Sequence, residues 1–149
     1  MNFKKIPFTD IKELLGRIFK ASRPVEILPD PIHTAALTSG IELEWNHSDW
    51  WDQFELDDDE LSDEEILSLL FEEHKPIQGN VIIVTDECFK LKEGYILPVQ
   101  DLLNFIENIY PEIHHMGFFQ PSDTIFIHPD DCVITIMNHE GYRMQYRWG

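Results

Sequence analysis

Apolar positions in this chain repeat with two periods, and each change of period marks a new element. Ile11, Leu14, Leu15, Ile18 and Phe19 fall at helical spacing, and Asp10 with Glu13 three residues on offers a capping box. This predicts a first amphipathic helix over residues 10–20. Pro24, Pro29 and Pro31 follow, and an extended or looped stretch is expected there, since proline lacks the N–H that a helix interior or central strand uses. In SGIELEW, Ile41, Leu43 and Trp45 alternate with Glu42 and Glu44, which is strand periodicity. Ser62 and Glu65 form a second capping-box pattern ahead of Ile66, Leu67, Leu69, Leu70 and Phe71. A helix over 63–73 follows from it, with the acids of its first turn at the positive end of the helix dipole and Pro76 and Gly79 beyond its end.

The second half is richer in strands. NVIIVTD places four branched apolar residues in succession, as in a strand covered on both faces, over 80–85. Tyr95 to Leu97 suggests a short strand, and Pro98 opens a third helix with Val99, Leu102, Leu103, Ile106 and Ile109 on one face, closed by Pro111. The segments DTIFIH, CVITIMNH and YRMQYRW are separated by Pro-Asp-Asp and Glu-Gly, so three strands in an antiparallel meander are expected. The fold class that results is α+β: a single domain over 1–149, with a mainly antiparallel sheet, a C-terminal β-meander and two to three packed helices.

Composition agrees with a folded domain. A chain of 149 residues with 43% hydrophobic and 12% aromatic content buries roughly 70% of its unfolded surface, so no metal or disulfide framework is required. Cys88 and Cys132 both adjoin apolar runs and read as small buried thiols. Pro7, Asp10, Lys12 and Glu13 interrupt any leader-like segment near the N-terminus, and no apolar run approaches the roughly 18 residues of a membrane span. A soluble, cytoplasmic protein is the expectation.

Charge changes the picture most. Net charge is −17, yet residues 1–23 hold six basic and two acidic groups, while residues 24–74 hold sixteen acids and no Lys or Arg. Within that run, Ser48 to His74 reads SDWWDQFELDDDELSDEEILSLLFEEH, with twelve acids in 27 residues. Such a field repels nucleic acid and anionic membrane, and it attracts basic proteins.

Candidate chemistry is sparse. IFIHPDD at 125–131 resembles the metal-binding signature of the zinc de-N-acetylases that act on N-acetylglucosamine conjugates. That resemblance implies zinc on His128 and Asp131, with Asp130 as base, in a metal-dependent hydrolase. It covers seven residues, and here the motif precedes a strand-like segment instead of the helix that the family has. A hairpin turn built from Pro and Asp is the competing reading. His114 and His115 are adjacent, so their side chains diverge by about 100° on a helix. A calcium loop counted from Asp57 places Asp59 correctly, but Leu61, Ser62 and Ser68 stand where an acid, Gly and Glu are needed. No nucleophile elbow, phosphate loop or dinucleotide fingerprint is present, so nothing supports an enzyme, and no cofactor is expected.

What remains is an acidic segment interleaved with aromatics. Trp45, Trp50, Trp51 and Phe54 alternate with Asp49, Asp52 and Glu55; tryptophan anchors interfaces, and carboxylates beside it pair with Arg or Lys. The expected partner-binding residues are Asp49, Trp50, Trp51, Asp52, Glu55, Asp57, Asp58, Asp59, Glu60, Asp63 and Glu64. In size, charge and architecture the chain resembles the bacterial immunity proteins of polymorphic and contact-dependent growth inhibition toxins. The resemblance implies a one-to-one complex in which acids cover the basic cleft, or a nearby exosite, of a cognate nuclease toxin domain, without direct contact to nucleic acid or membrane. A nucleic-acid mimic acting on a DNA-binding protein is the alternative that the same charge allows.

Overall fold

A computed structural model describes residues 3–47, 62–72, 75–119, 123–138 and 142–148, with the backbone alone over 43–47. Among the described residues seven strands form one sheet: β1 Lys4–Pro7, β2 Glu42–His47, β3 Asn80–Thr85, β4 Glu93–Pro98, β5 Thr124–His128, β6 Val133–Met137 and β7 Tyr142–Arg147. They lie in the order β1, β4, β3, β5, β6, β7, β2, and every neighbouring pair is antiparallel. The α+β class and the C-terminal meander of β5, β6 and β7 are both present. The turn expected at Glu140 and Gly141 lies outside the described residues.

Helices cover both faces. α1 (Phe8–Ile18) and α2 (Pro29–Ser39) carry the chain from β1 at one edge to β2 at the other. α3 (Asp63–Leu70) precedes β3, α4 (Cys88–Leu91) is a single turn, and α5 covers residues 99–114. α5 opens as a 3-10 turn (Val99–Asp101), passes through an α turn and a π turn (Phe105–Ile109), and ends as α-helix (Tyr110–His114).

The register separates the two faces cleanly. Ile82, Val84, Ile125, Ile127, Ile134, Ile136, Met144 and Tyr146 point to one side, where Tyr146 meets His33 of α2 and Val84 lies beside Gly94 near Ile11 of α1. Ile83, Thr85, Tyr95, Thr124, Phe126, His128, Thr135, Arg143 and Gln145 point to the other. There Tyr110 of α5 bonds Thr85 at 2.8 Å and Arg143 reaches the Leu70 carbonyl of α3 at 2.9 Å. All six buried polar residues among those described, Thr85, Thr124, His128, Thr135, Arg143 and Gln145, are on this second face. The run NVIIVTD is buried on both sides because helices lie above and below it.

Several expectations need correction. α1 begins at Phe8 with Pro7 as its N-cap and no side-chain cap, so Asp10 sits inside the first turn and forms no capping box with Glu13. The proline stretch is not all loop: Leu28 is the N-cap of α2, Pro29 its first residue, and Pro31 still lies in the first turn, where backbone N–H groups have no intrahelical acceptor to lose. Pro111 does not close α5, because it falls in the first turn of the segment that follows the π turn. β1 was not visible in KKIP, a four-residue edge strand with two lysines and a proline. Cys88 is buried as expected, whereas Cys132 is half-buried in a left-handed turn (φ 57°), and neither forms a disulfide.

Candidate functional site

Of the expected partner-binding residues, Asp49, Trp50, Trp51, Asp52, Glu55, Asp57, Asp58, Asp59 and Glu60 lie outside the described residues. Their frame is described. The segment leaves the edge strand β2 after His47 and enters α3 through Ser62. Ser62 caps that helix as its sequence predicts: its hydroxyl accepts the Glu65 N–H at 3.1 Å, and the Glu65 carboxylate accepts the Ser62 N–H at 3.2 Å.

α3 therefore presents Asp63, Glu64 and Glu65 from one fixed turn. Ile66 and Leu70 anchor the helix in the core at 1% and 0% exposure, and their burial contributes on the order of 2 kcal/mol each. Its far end is held by the Arg143 guanidinium on the Leu70 carbonyl, a cation at the negative end of the helix dipole. Asp63 is half-buried, and its carboxyl is raised above the ordinary range, first because burial strips its water and then because Glu107 of α5 adds a like charge. Two acids are thus brought together across α3 and α5. Ion pairs made by Lys12 with Glu26, Lys90 with Glu87 and Arg147 with Glu42 lie elsewhere.

Between α3 and the start of α5 a cleft of about 640 Å³ opens. Leu67 and Phe71 form one wall, Val99, Leu102 and Leu103 the other, and Ile77 stands at its mouth with 73% of its surface exposed. His128 lies at the floor, edge-on to the Phe71 ring. Glu64 and Glu72 are on the rim, with Lys75. The sequence pattern gives these wall residues as the apolar stripes of α3 and α5, and Phe71 and Leu102 are buried in the core while their outer sides line the cleft.

The His-Pro-Asp-Asp turn sits beside this cleft and has a structural task. Asp131 accepts the backbone N–H groups of Ile77 and Gln78 through one oxygen at 3.0 Å each, and Asp130 accepts that of Asn80 at 3.4 Å. Gly79 lies against Asp130 with φ of +64°, and a Cβ there would come 1.7 Å from the carboxylate. Both carboxylates are thus engaged by the 77–80 link, and His128 is 1% exposed. Among the described residues no group of three His, Cys, Asp or Glu side chains could hold a metal ion. The zinc-hydrolase reading of His128, Asp130 and Asp131 finds no ligand set among the described residues.

The histidine pair is likewise divided. His114 Nε2 and the Tyr95 hydroxyl share a hydrogen bond at 2.7 Å and the His114 ring lies 4.3 Å from the Tyr110 ring centre, while His115 ends α5 with φ of 56°. Burial lowers the His114 pKa and pushes the Tyr95 phenol up to about 12. Burial also raises the Cys88 thiol, the opposite of what a nucleophile needs.

On the α1 and α2 side, Arg17, Lys20 and Arg147 surround a second cleft of about 720 Å³ beside Trp148. The C-terminal ends of both helices meet there, and the negative ends of their dipoles favour cations. Helix-end dipoles account for Arg17 and Lys20, and Glu42 pairs with Arg147, so the basic groups need no ligand. No helix among the described residues is long and apolar enough to cross a membrane. No family model, no curated protein and no solved structure matches this chain.

Proposed function

We propose that the protein is a non-enzymatic inhibitor that binds a basic protein one-to-one and neutralises it, as an immunity protein neutralises a nuclease toxin in the cytoplasm of the producing cell. The observation that carries this reading is the run of residues 24–74, with sixteen acids and no Lys or Arg. Nuclease toxins neutralise phosphates and so present Lys and Arg; an ordered array of carboxylates competes for the same groups.

The fold supports the reading in two ways. Asp63, Glu64 and Glu65 are held on a capped helix whose other end is fixed by Arg143, so little order has to be gained on binding. Residues 1–23 hold six basic and two acidic groups, and α1 within them packs on the opposite face of the sheet from acidic α3; this polarity orients an approaching basic partner.

The test is co-expression with the basic protein encoded beside it. The expected result is a stable complex and suppression of that protein's toxicity. If the two do not associate and toxicity persists, the reading is wrong.

A further inference from the structure

The cleft between α3 and α5 has the chemistry of an anchor pocket. Its walls are aliphatic and aromatic, from Leu67, Phe71, Val99, Leu102 and Leu103. Ile77 at the mouth is a large apolar side chain left 73% exposed, yet its backbone is fixed by the Asp131 carboxylate. An exposed isoleucine on a pinned link is ready-made contact surface with little ordering entropy left to lose. The rim is acidic, with Glu64 and Glu72 against one cation, Lys75. Glu64 belongs both to this rim and to the first turn of α3 with Asp63 and Glu65, so the cleft adjoins the described acids of that helix.

We infer that this cleft seats one large apolar side chain of the basic partner, while lysines or arginines flanking that residue pair with Glu64 and Glu72. The inference rests on the partner-binding reading above and adds to it the kind of residue the partner supplies. Charge selects basic segments and gives speed; the pocket discriminates among them, as buried aromatic anchors surrounded by rim charges do at interfaces. Its volume of about 640 Å³ accommodates an indole or phenyl ring with its backbone. Asp131 is then a positioning residue: it holds Ile77 in place and does not touch the partner.

The experiment is an amide-shift titration of the full-length ¹⁵N-labelled protein with three pentapeptides: Arg-Lys-Trp-Arg-Lys, Arg-Lys-Ala-Arg-Lys and Glu-Asp-Trp-Asp-Glu. The tryptophan-bearing basic peptide is expected to move the amides of Leu67, Ser68, Phe71, Ile77 and Leu103 and to bind about tenfold tighter than its alanine counterpart. The alanine peptide moves only amides within residues 49–65, and the acidic peptide moves nothing. Leu103→Arg is expected to abolish the tenfold difference and leave alanine-peptide binding in place. Equal affinity of the two basic peptides, with no shift at the cleft, overturns the pocket and leaves the charge reading standing. No binding of either basic peptide removes the reading beneath it. Cleft shifts produced by dilution, which would mean a second copy of the chain fills it, or by Trp50→Ala with Trp51→Ala, which would mean its own segment does, also overturn the pocket.

Discussion

The two faces of the sheet are built to different rules. Under α1 and α2 the strands present Ile125, Ile127, Ile134 and Ile136, each at 2% exposure or less, with no buried polar side chain among the described residues beyond the Tyr146 hydroxyl that meets His33. Under α3 and α5 the same strands present Thr124, His128, Thr135, Arg143 and Gln145. Alternation along a strand makes this possible, since neighbouring residues point to opposite sides. The first face is designed for burial alone. The second adds hydrogen bonds that fix where α3 lies, and α3 is the helix that carries the ordered acids. Both faces bury apolar side chains, but placement of the acidic turn rests on the second.

This contrast can be broken experimentally. The largest effect is expected from Ile127→Ala on the apolar face, a loss of about 3 kcal/mol, from a cavity with nothing to fill it; the midpoint of chemical unfolding measures it. Arg143→Met on the polar face is expected to cost about 2 kcal/mol, because the buried Leu70 carbonyl loses a charged donor. Its signature is local: hydrogen exchange should accelerate in α3 more than in β3 or β5. A uniform loss across the fold would show that Arg143 supports the core in general and not α3 in particular.

His114 adds a pH dependence to the polar side. Burial lowers its pKa in the folded protein, so as pH falls the unfolded chain takes the proton first. Stability is then fully present above the ordinary value of 6.5 and is lost as pH falls through the lower folded value. His114→Gln should flatten the fall in melting temperature between about pH 7 and 5; an unchanged slope would assign it to other groups.

The pair Thr135 and Gln145 sharpens the contrast from the opposite direction. Gln145 donates to the Thr135 hydroxyl at 3.1 Å, while its own side-chain carbonyl is buried without a hydrogen bond. Replacing both, Thr135→Val with Gln145→Leu, should change stability by less than about 1 kcal/mol, since both partners leave together. The smallest effect is expected at Asp63. Its raised pKa means that ionisation opposes folding, so the contribution is favourable at low pH and is lost as pH rises. Asp63→Asn should slightly raise the melting temperature at pH 7, and the gain should vanish below about pH 4. A proposed binding surface that costs stability would be a common compromise.

Local signals were legible in the sequence, and long-range ones were not. The Ser62 and Glu65 capping box, the run Val81 to Val84 and the three meander strands each announce themselves within a few residues, and each is present. The prolines misled because their meaning depends on position within a turn. Pro29 and Pro111 look like breakers in sequence but occupy first-turn positions that need no donor. The role of Asp130 and Asp131 was hidden because their partners, Ile77, Gln78 and Asn80, lie some fifty residues away. The cleft was hidden for the same reason, since Leu67 and Leu103 are ordinary helix positions until α3 and α5 pack. Of the proposed surface, Asp63 and Glu64 are found on an ordered, capped turn, as the charge pattern and capping box suggested.

The central claim concerns charge on residues 49–65, and one measurement tests it most directly. The association rate with the basic protein encoded beside this chain is followed by stopped flow across ionic strength, for the natural sequence and for Asp57→Lys, Asp58→Lys, Asp59→Lys combined. A steered encounter predicts a rate approaching about 10⁸ per molar per second at low salt, falling steeply as salt is added. The reversed variant should associate at least tenfold more slowly, with a flatter salt dependence. Identical rates and slopes for the two proteins would contradict the account.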